Sequence, residues 1–163
     1  NSILKPTDLL LDTLKECNIS ATFYIDTIYI EKLLENKLFN EYELVKNQIQ
    51  RMVNEGHRAE LHLHPHWYDA IYISETQRWK FPTYEHYRLH SYSEQEIENI
   101  FDKSVELLYQ IIHEIDADYR FHSYRAGGWC IQPFDKIKPS LEKHGIFVDS
   151  STAFGMKSNS TLF

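Results

Sequence analysis

The stretch "GHRAELHLHPH", Gly56 to His66, decides how this chain is read. Before it, Leu44, Val45, Ile49, Met52 and Val53 fall on one helical face, and Gly56 ends that pattern. After it, "HRAELHL" reads as a strand. Extended backbone would put His62, His64 and His66 on one face, opposite Leu61 and Leu63, while Pro65 restricts His64 and turns the chain. A helix thus leads through a glycine into a strand whose exit carries imidazoles.

The same alternation continues on both sides. Upstream, Leu9, Leu10, Leu11 and Leu14 have helical spacing after Pro6-Thr7, and "ISATFYI" (Ile19 to Ile25) has the β-branched and aromatic character of a buried strand. Glu31 to Leu38 is expected to be a short helix. Downstream, residues 66–93 carry many aromatics and little periodicity, as a functional loop would. Ser93 with Glu96 is a capping-box signature for a helix bearing Ile97, Ile100, Phe101, Val105, Leu108, Ile111 and Ile112. "YRFHSYRAGGWC" then predicts a strand entering a Gly-rich turn, followed by a helix from about Phe134 to His144, a stop at Gly145 and a last strand in "IFVDSS". The order α-β-α-α-β-loop-α-β-α-β implies a parallel sheet, open or closed into a barrel, with ligands beyond the strand C-termini. His62 to His66, Arg125 to Trp129 and Asp149 to Ser151 all fall at such ends.

Length and charge set the frame for these motifs. A chain of 163 residues suits a single domain with one core. A net charge of -7 argues against nucleic acid as a partner, because phosphate binding needs a concentrated basic surface. Two cysteines, Cys17 and Cys130, make neither a disulfide framework nor a CxxC zinc site, which favours a reducing, cytoplasmic setting. No apolar run approaches the ~20 residues of a membrane span, and no signal peptide is expected, although a chain that starts at Asn1 is open to having lost its N-terminus.

Clustered neutral imidazoles at a strand end are ligands for zinc or a similar divalent metal, and with an open coordination position they make a hydrolytic centre; the plainer alternative is a run of structural histidines. "RAGGW" adds the fixed cation of Arg125, backbone N–H groups at Gly127 and Gly128, and the indole of Trp129, which suits a sugar; it also reads as an ordinary strand-to-helix turn. Asp149 is a candidate support for a catalytic acid or base, or a helix cap. The aromatic segment beginning at Trp67 is a candidate sugar platform or a lid.

In order, "ISATFYI", "GHRAELHLHPH", "YRAGGW" and "GIFVDSS" resemble the motifs of the polysaccharide deacetylases, the NodB-homology group of carbohydrate esterases, over about Ile19 to Ser151. The resemblance implies a distorted (β/α) barrel and a divalent metal, often zinc, that hydrolyses the acetamide of an N-acetylated sugar. By position, His62 and His66 correspond to the two metal-binding histidines, Arg125 to the residue that orients the catalytic aspartate, Gly128 to an oxyanion N–H donor and Asp149 to a carboxylate supporting the catalytic acid. His64, Trp67, Gly128 and Trp129 would then shape the substrate groove. The sequence also departs from the family. The aspartate pair that supplies the third ligand and the base would lie upstream of Asn1, and the C-terminal Leu-His motif beyond Phe163; Asp8 and Asp12 sit in a helical pattern. Ala126 and Gly127 stand where a proline region is expected, and Gly128 where an aromatic is. The chain therefore reads as a partial domain spanning residues 1–163. Two other readings compete: a non-catalytic carbohydrate-binding relic of the same fold, and a phosphoesterase of the PHP or amidohydrolase type, for which HxHxH is also a signature.

Overall fold

A computed structural model describes residues 3–152 and Gly155. Four parallel strands form its sheet in the order β1-β2-β5-β6: β1 Thr22–Asp26, β2 Arg58–Leu63, β5 Ser123–Ala126 and β6 Val148–Asp149. Five helices accompany them: α1 Leu4–Glu16, α2 Thr27–Glu35, α3 Phe39–Asn54, α4 Glu94–Ile112 and α5 Phe134–Lys143. The predicted alternation is present, and so is the parallel pairing. Barrel closure is not: among the described residues β1 and β6 are both sheet edges, so the fold seen is an open α/β sheet.

Apolar periodicity explains the core. Leu61 and Leu63 of β2 with Tyr124 and Ala126 of β5 present one face to the stripe Ile97, Ile100, Phe101, Val105, Leu108, Ile111 and Ile112 of α4, and all are buried in one cluster. Phe101 packs on Tyr124 with ring centroids 5.2 Å apart. The capping box forms as its sequence predicts: Ser93 Oγ accepts from Glu96 N at 3.3 Å, and Ser93 N donates to the Glu96 carboxylate at 2.8 Å. Gly56 (φ +82°) and Gly145 (φ +67°) each adopt the left-handed turn that ends a helix and starts the run into a strand.

Two buried polar groups join β2 to the segment that leads into β5. The Tyr119 hydroxyl donates to Ala59 O and accepts from Ala59 N, both at 2.9 Å. The Glu60 carboxylate accepts from the backbone N–H groups of His122 and Ser123, each at 2.9 Å, and pairs with Arg58 at 2.6 Å. These bonds satisfy backbone groups beyond the end of the regular ladder and hold β5 against β2.

The aromatic segment differs from the loop expected of it. It contains a short 3₁₀ turn at Pro65–Asp69, a two-stranded antiparallel hairpin of β3 Ile71–Ile73 and β4 Arg78–Lys80, and a second 3₁₀ turn at Leu89–Ser91. Strands of three residues are too brief to show period-two alternation in the sequence. Their pairing is fixed by ring contacts that only the fold reveals. Tyr72 lies opposite Trp79 in register, with centroids 5.0 Å apart.

Candidate active site

Register builds the site. Asp26 of β1 pairs with His62 of β2, which pairs with Arg125 of β5, so three polar residues form a row across adjacent strands at their C-terminal ends. The sheet face opposite the α4 core carries Tyr24, Glu60, His62 and Arg125. Ligands bind beyond such strand ends in parallel sheets.

His62 Nδ1 lies 2.5 Å from Arg125 O. A carbonyl only accepts, so Nδ1 carries the proton and Nε2 keeps its lone pair, the tautomer of a metal-binding imidazole held by a backbone carbonyl. Burial pulls the His62 pKa below its ordinary value; the Arg125 carbonyl opposes this and the Arg125 charge adds to it. Burial also lowers the pKa of His66, against a weaker upward pull from Asp69. His66 Nδ1 is buried with no hydrogen-bond partner, and its ring is sandwiched between Trp67 (5.9 Å) and Tyr87 (5.5 Å). His64 stands between the other two histidines in edge contacts of 4.5 and 5.1 Å, its Nδ1 also buried and unpartnered. Its pKa is pushed down to about 4 by burial and then by its two imidazole neighbours. All three imidazoles are thus held neutral, the form in which they donate a lone pair.

Asp26, which the sequence analysis did not single out, lies beside the cavity residues, in register with His62. One oxygen accepts from His64 N at 3.3 Å, and the residue is the N-cap of α2. Burial raises its pKa to about 7, against hydrogen bonds from the His64 backbone, the Trp67 side chain and the backbone of Tyr29 and Ile28. In the sequence it is simply a residue after "FYI"; its place opposite His62 exists only once the strands pair.

A cavity of about 540 Å³ opens here, lined by Tyr24, His62, His64, Arg125, Gly128 and Trp129, with Tyr87 at its wall. Five of the predicted site residues therefore meet in one place. Arg125 lies over the Tyr24 ring, 6.0 Å from its centroid, and among the described residues no carboxylate comes within ion-pair distance of it. Gly128 (φ +60°) and Trp129 (φ +55°) both take left-handed backbone, which for Trp129 is strain at the mouth of a site, and the Trp129 indole is exposed. A Cβ on Gly128 would fall well inside 3.0 Å of Tyr87 Cε1; one on Gly127 would meet Leu63 O equally closely and His64 Nδ1 at 2.9 Å. Both glycines are needed for close approach, with side chain in one case and backbone in the other.

Three predicted residues stand elsewhere. His66 lies behind Tyr87, and Trp67 sits inside an aromatic cluster with Tyr29, Trp79 and Phe81 at 4.9 to 5.4 Å, away from the cavity. Asp149 is in register with Tyr124, on the face opposite Arg125. Its carboxylate accepts from the backbone N–H of Ser151 (3.1 Å) and from the Ser151 hydroxyl, which in turn accepts from Ala126 N at 2.7 Å. Asp149 thus braces the end of β5 and does not reach the cavity. Among the described residues no group of three or more His, Cys, Asp or Glu side chains is placed to hold a metal ion. Taken singly, His62 through its free Nε2 and His66 through its orphaned Nδ1 each have the donor chemistry of a metal ligand, although only His62 lines the cavity.

Searches of curated proteins and of solved structures returned no match. A family model described as polysaccharide deacetylase matches residues 5–132, which takes in all but the first residue of α1, the strands β1, β2 and β5, and every residue lining the cavity. The chain belongs to the polysaccharide deacetylase family.

Proposed function

We propose that this protein is a metal-dependent hydrolase that removes the N-acetyl group of a sugar unit. Its family is one of deacetylases of sugar substrates and generally uses a metal. The observation that carries the reading is the His62 ring: its Nδ1 proton is committed to Arg125 O, and its free nitrogen stands beside Arg125 and the Gly-Gly turn. His62 and His66 would hold the ion, zinc being the expected one. A divalent ion bound there supplies Lewis-acid polarisation of the acetyl carbonyl and of water.

The chain's own residues would position the reactants. Arg125 would orient the carboxylate that accepts a proton from the attacking water, and among the described residues no Asp or Glu lines the cavity to fill that role. The Gly128 N–H lies in a strained turn at the cavity, where it would donate to the oxyanion as the carbonyl carbon becomes tetrahedral. The amide C–N bond then breaks, a proton goes to the departing amine, and acetate and an amino sugar leave. Trp129 gives the sugar an exposed ring to stack on, and His64 fills the wall beside it. Trp67 acts through His66, whose ring it supports. Asp149 contributes indirectly by bracing β5 through Ser151.

The test is acetate release from N-acetylglucosamine oligomers with zinc added, together with zinc content. His62→Ala and His66→Ala should each lose the metal and lower kcat/KM by at least about 100-fold, corresponding to several kcal/mol of transition-state stabilisation. Full activity in either variant sinks the proposal. The absence of a three-donor group among the described residues favours one other reading, a carbohydrate-binding relic. Glycan binding that survives chelation, with no acetate released, would select it.

A further inference from the structure

The segment just beyond the cavity gathers basic side chains that the proposed reaction does not use. Tyr87 lines the cavity wall; Arg88 and His90 follow it, around the 3₁₀ turn Leu89–Ser91 whose Leu89 is buried in the core. From the first turn of α5, Lys136 donates through Nζ to His90 O at 2.7 Å, which fixes a second cation against the same turn. An ammonium carries three hydrogens, so this one bond leaves two for another acceptor.

Two nitrogens here lack a partner. Arg88 is half-buried, and its Nε is shut off from solvent with no hydrogen-bond partner among the described residues; the same holds for Nδ1 of His90. A guanidinium N–H keeps its proton and only an acceptor satisfies it, so an enclosed one without an acceptor is costly. Carboxylates are not scarce in a chain with 24 acidic and 17 basic residues. Arg51, Arg58 and Lys143 each meet one, whereas Arg88 and Lys136 form no ion pair among the described residues. Glu96 lies within the field of Lys136, but its carboxylate is committed to the helix cap, accepting from Ser93 N at 2.8 Å and from Ser93 Oγ at 2.7 Å. Burial, and after it the charges of Arg88 and Lys136, lower the pKa of His90. Three basic residues from two segments thus converge without an acceptor of their own.

We infer that Arg88, His90 and Lys136 form an oxyanion site beside the cavity, and that its ligand is a phosphate group. Arginine offers a planar fork and lysine a point charge, and a phosphate has enough oxygens to serve three residues where a carboxylate has two. Arg88 directly follows Tyr87 of the cavity wall, so a phosphate carried on the substrate sugar would lie next to the reacting unit. Free inorganic phosphate has the same chemistry, and the test separates the two sources. The inference rests on the proposed function only for the sugar-borne source.

Binding of inorganic phosphate, N-acetylglucosamine 1-phosphate and N-acetylglucosamine is to be measured on the intact chain, by calorimetry and by thermal shift, with zinc left out. Inorganic phosphate should bind and raise Tm with concentration. Arg88→Gln and Lys136→Gln should each weaken that binding by about tenfold or more, and Arg88→Lys, which keeps the charge but not the fork, should recover only part of it. Without phosphate, Arg88→Gln should be at least as stable as the wild type, because the enclosed charge it removes has no partner. A large loss of stability there would show a guanidinium already satisfied and overturn the site. Absence of phosphate binding, or an affinity unchanged in both glutamine variants, overturns it too. N-acetylglucosamine 1-phosphate binding more tightly than both other probes, with the gain lost in Arg88→Gln, assigns the phosphate to the substrate. Equal binding of the two phosphate compounds assigns the site to free phosphate. Acetate release enters none of these arms, so the deacetylase reading stands or falls separately.

Discussion

Burial of Asp26 makes the stability of this protein depend on pH in a direction opposite to that of most carboxylates. Its pKa rises from 3.8 to about 7 on folding. Between these values the folded state holds more protons than the unfolded chain, so Asp26 removes stability as pH rises through the window. His64 acts the other way: with its pKa lowered from 6.5 to about 4, the unfolded chain binds more protons between those values, and stability rises with pH. Asp26→Asn keeps an acceptor for His64 N and leaves His64 in place. The Tm difference between variant and wild type should therefore grow in favour of the variant from pH 4 to pH 7 and level off above; a constant difference would refute the burial argument. At Gly128, a methyl group must displace the Tyr87 ring and sits at φ +60°. Gly128→Ala should cost about 1–3 kcal/mol by overpacking and backbone strain. Adding Tyr87→Ala should relieve only the overpacking share, which a double-variant denaturation cycle would read directly.

At the scale of elements, the turn after β5 is more demanding than the strand itself. Gly127 has Leu63 O, a backbone atom of β2, where its side chain would be, so in Gly127→Ala the closest clash is with backbone that cannot swing away. It should destabilise by about 3 kcal/mol or more, exceeding Gly128→Ala, as urea unfolding midpoints would show. The α4 start is conventional by comparison: Ser93→Ala loses the cap bond to Glu96 N and should cost about 1 kcal/mol with no effect on ligand binding. Helix starts of this kind were readable because the capping residues are neighbours in sequence. The β3–β4 hairpin was not, because three-residue strands carry no period and Tyr72 and Trp79 meet only after pairing.

Over the whole molecule, the link between β2 and β5 rests on a few polar contacts, since only three residue pairs join these strands in register. Tyr119→Phe removes the hydroxyl that satisfies both Ala59 N and Ala59 O on the edge of β2 where β5 has not begun. Leaving two buried backbone groups unpaired should cost about 2–4 kcal/mol. It should also loosen the His62–Arg125 bond one turn of strand away, and a fall in zinc affinity accompanying the fall in stability would report it. A variant that unfolds earlier yet binds zinc as the wild type does would separate sheet stability from site geometry.

The sequence by itself determined the alternation of helices and strands, the parallel class of the sheet, the helix caps and stops, and the family. These rest on local periodicity, on glycine at positive φ and on motifs of adjacent residues, all of which are written along the chain. It also marked His62, His64, Arg125, Gly128 and Trp129, which the fold gathers in one cavity. Tertiary structure alone decided that Asp26 comes into register beside His62 and that Asp149 faces the other way. Both outcomes depend on strand register, because shifting partners by one residue exchanges the two faces of a strand. The tautomer of His62 was equally out of reach of the sequence, since its partner is the carbonyl of Arg125, sixty-three residues away, on the neighbouring strand.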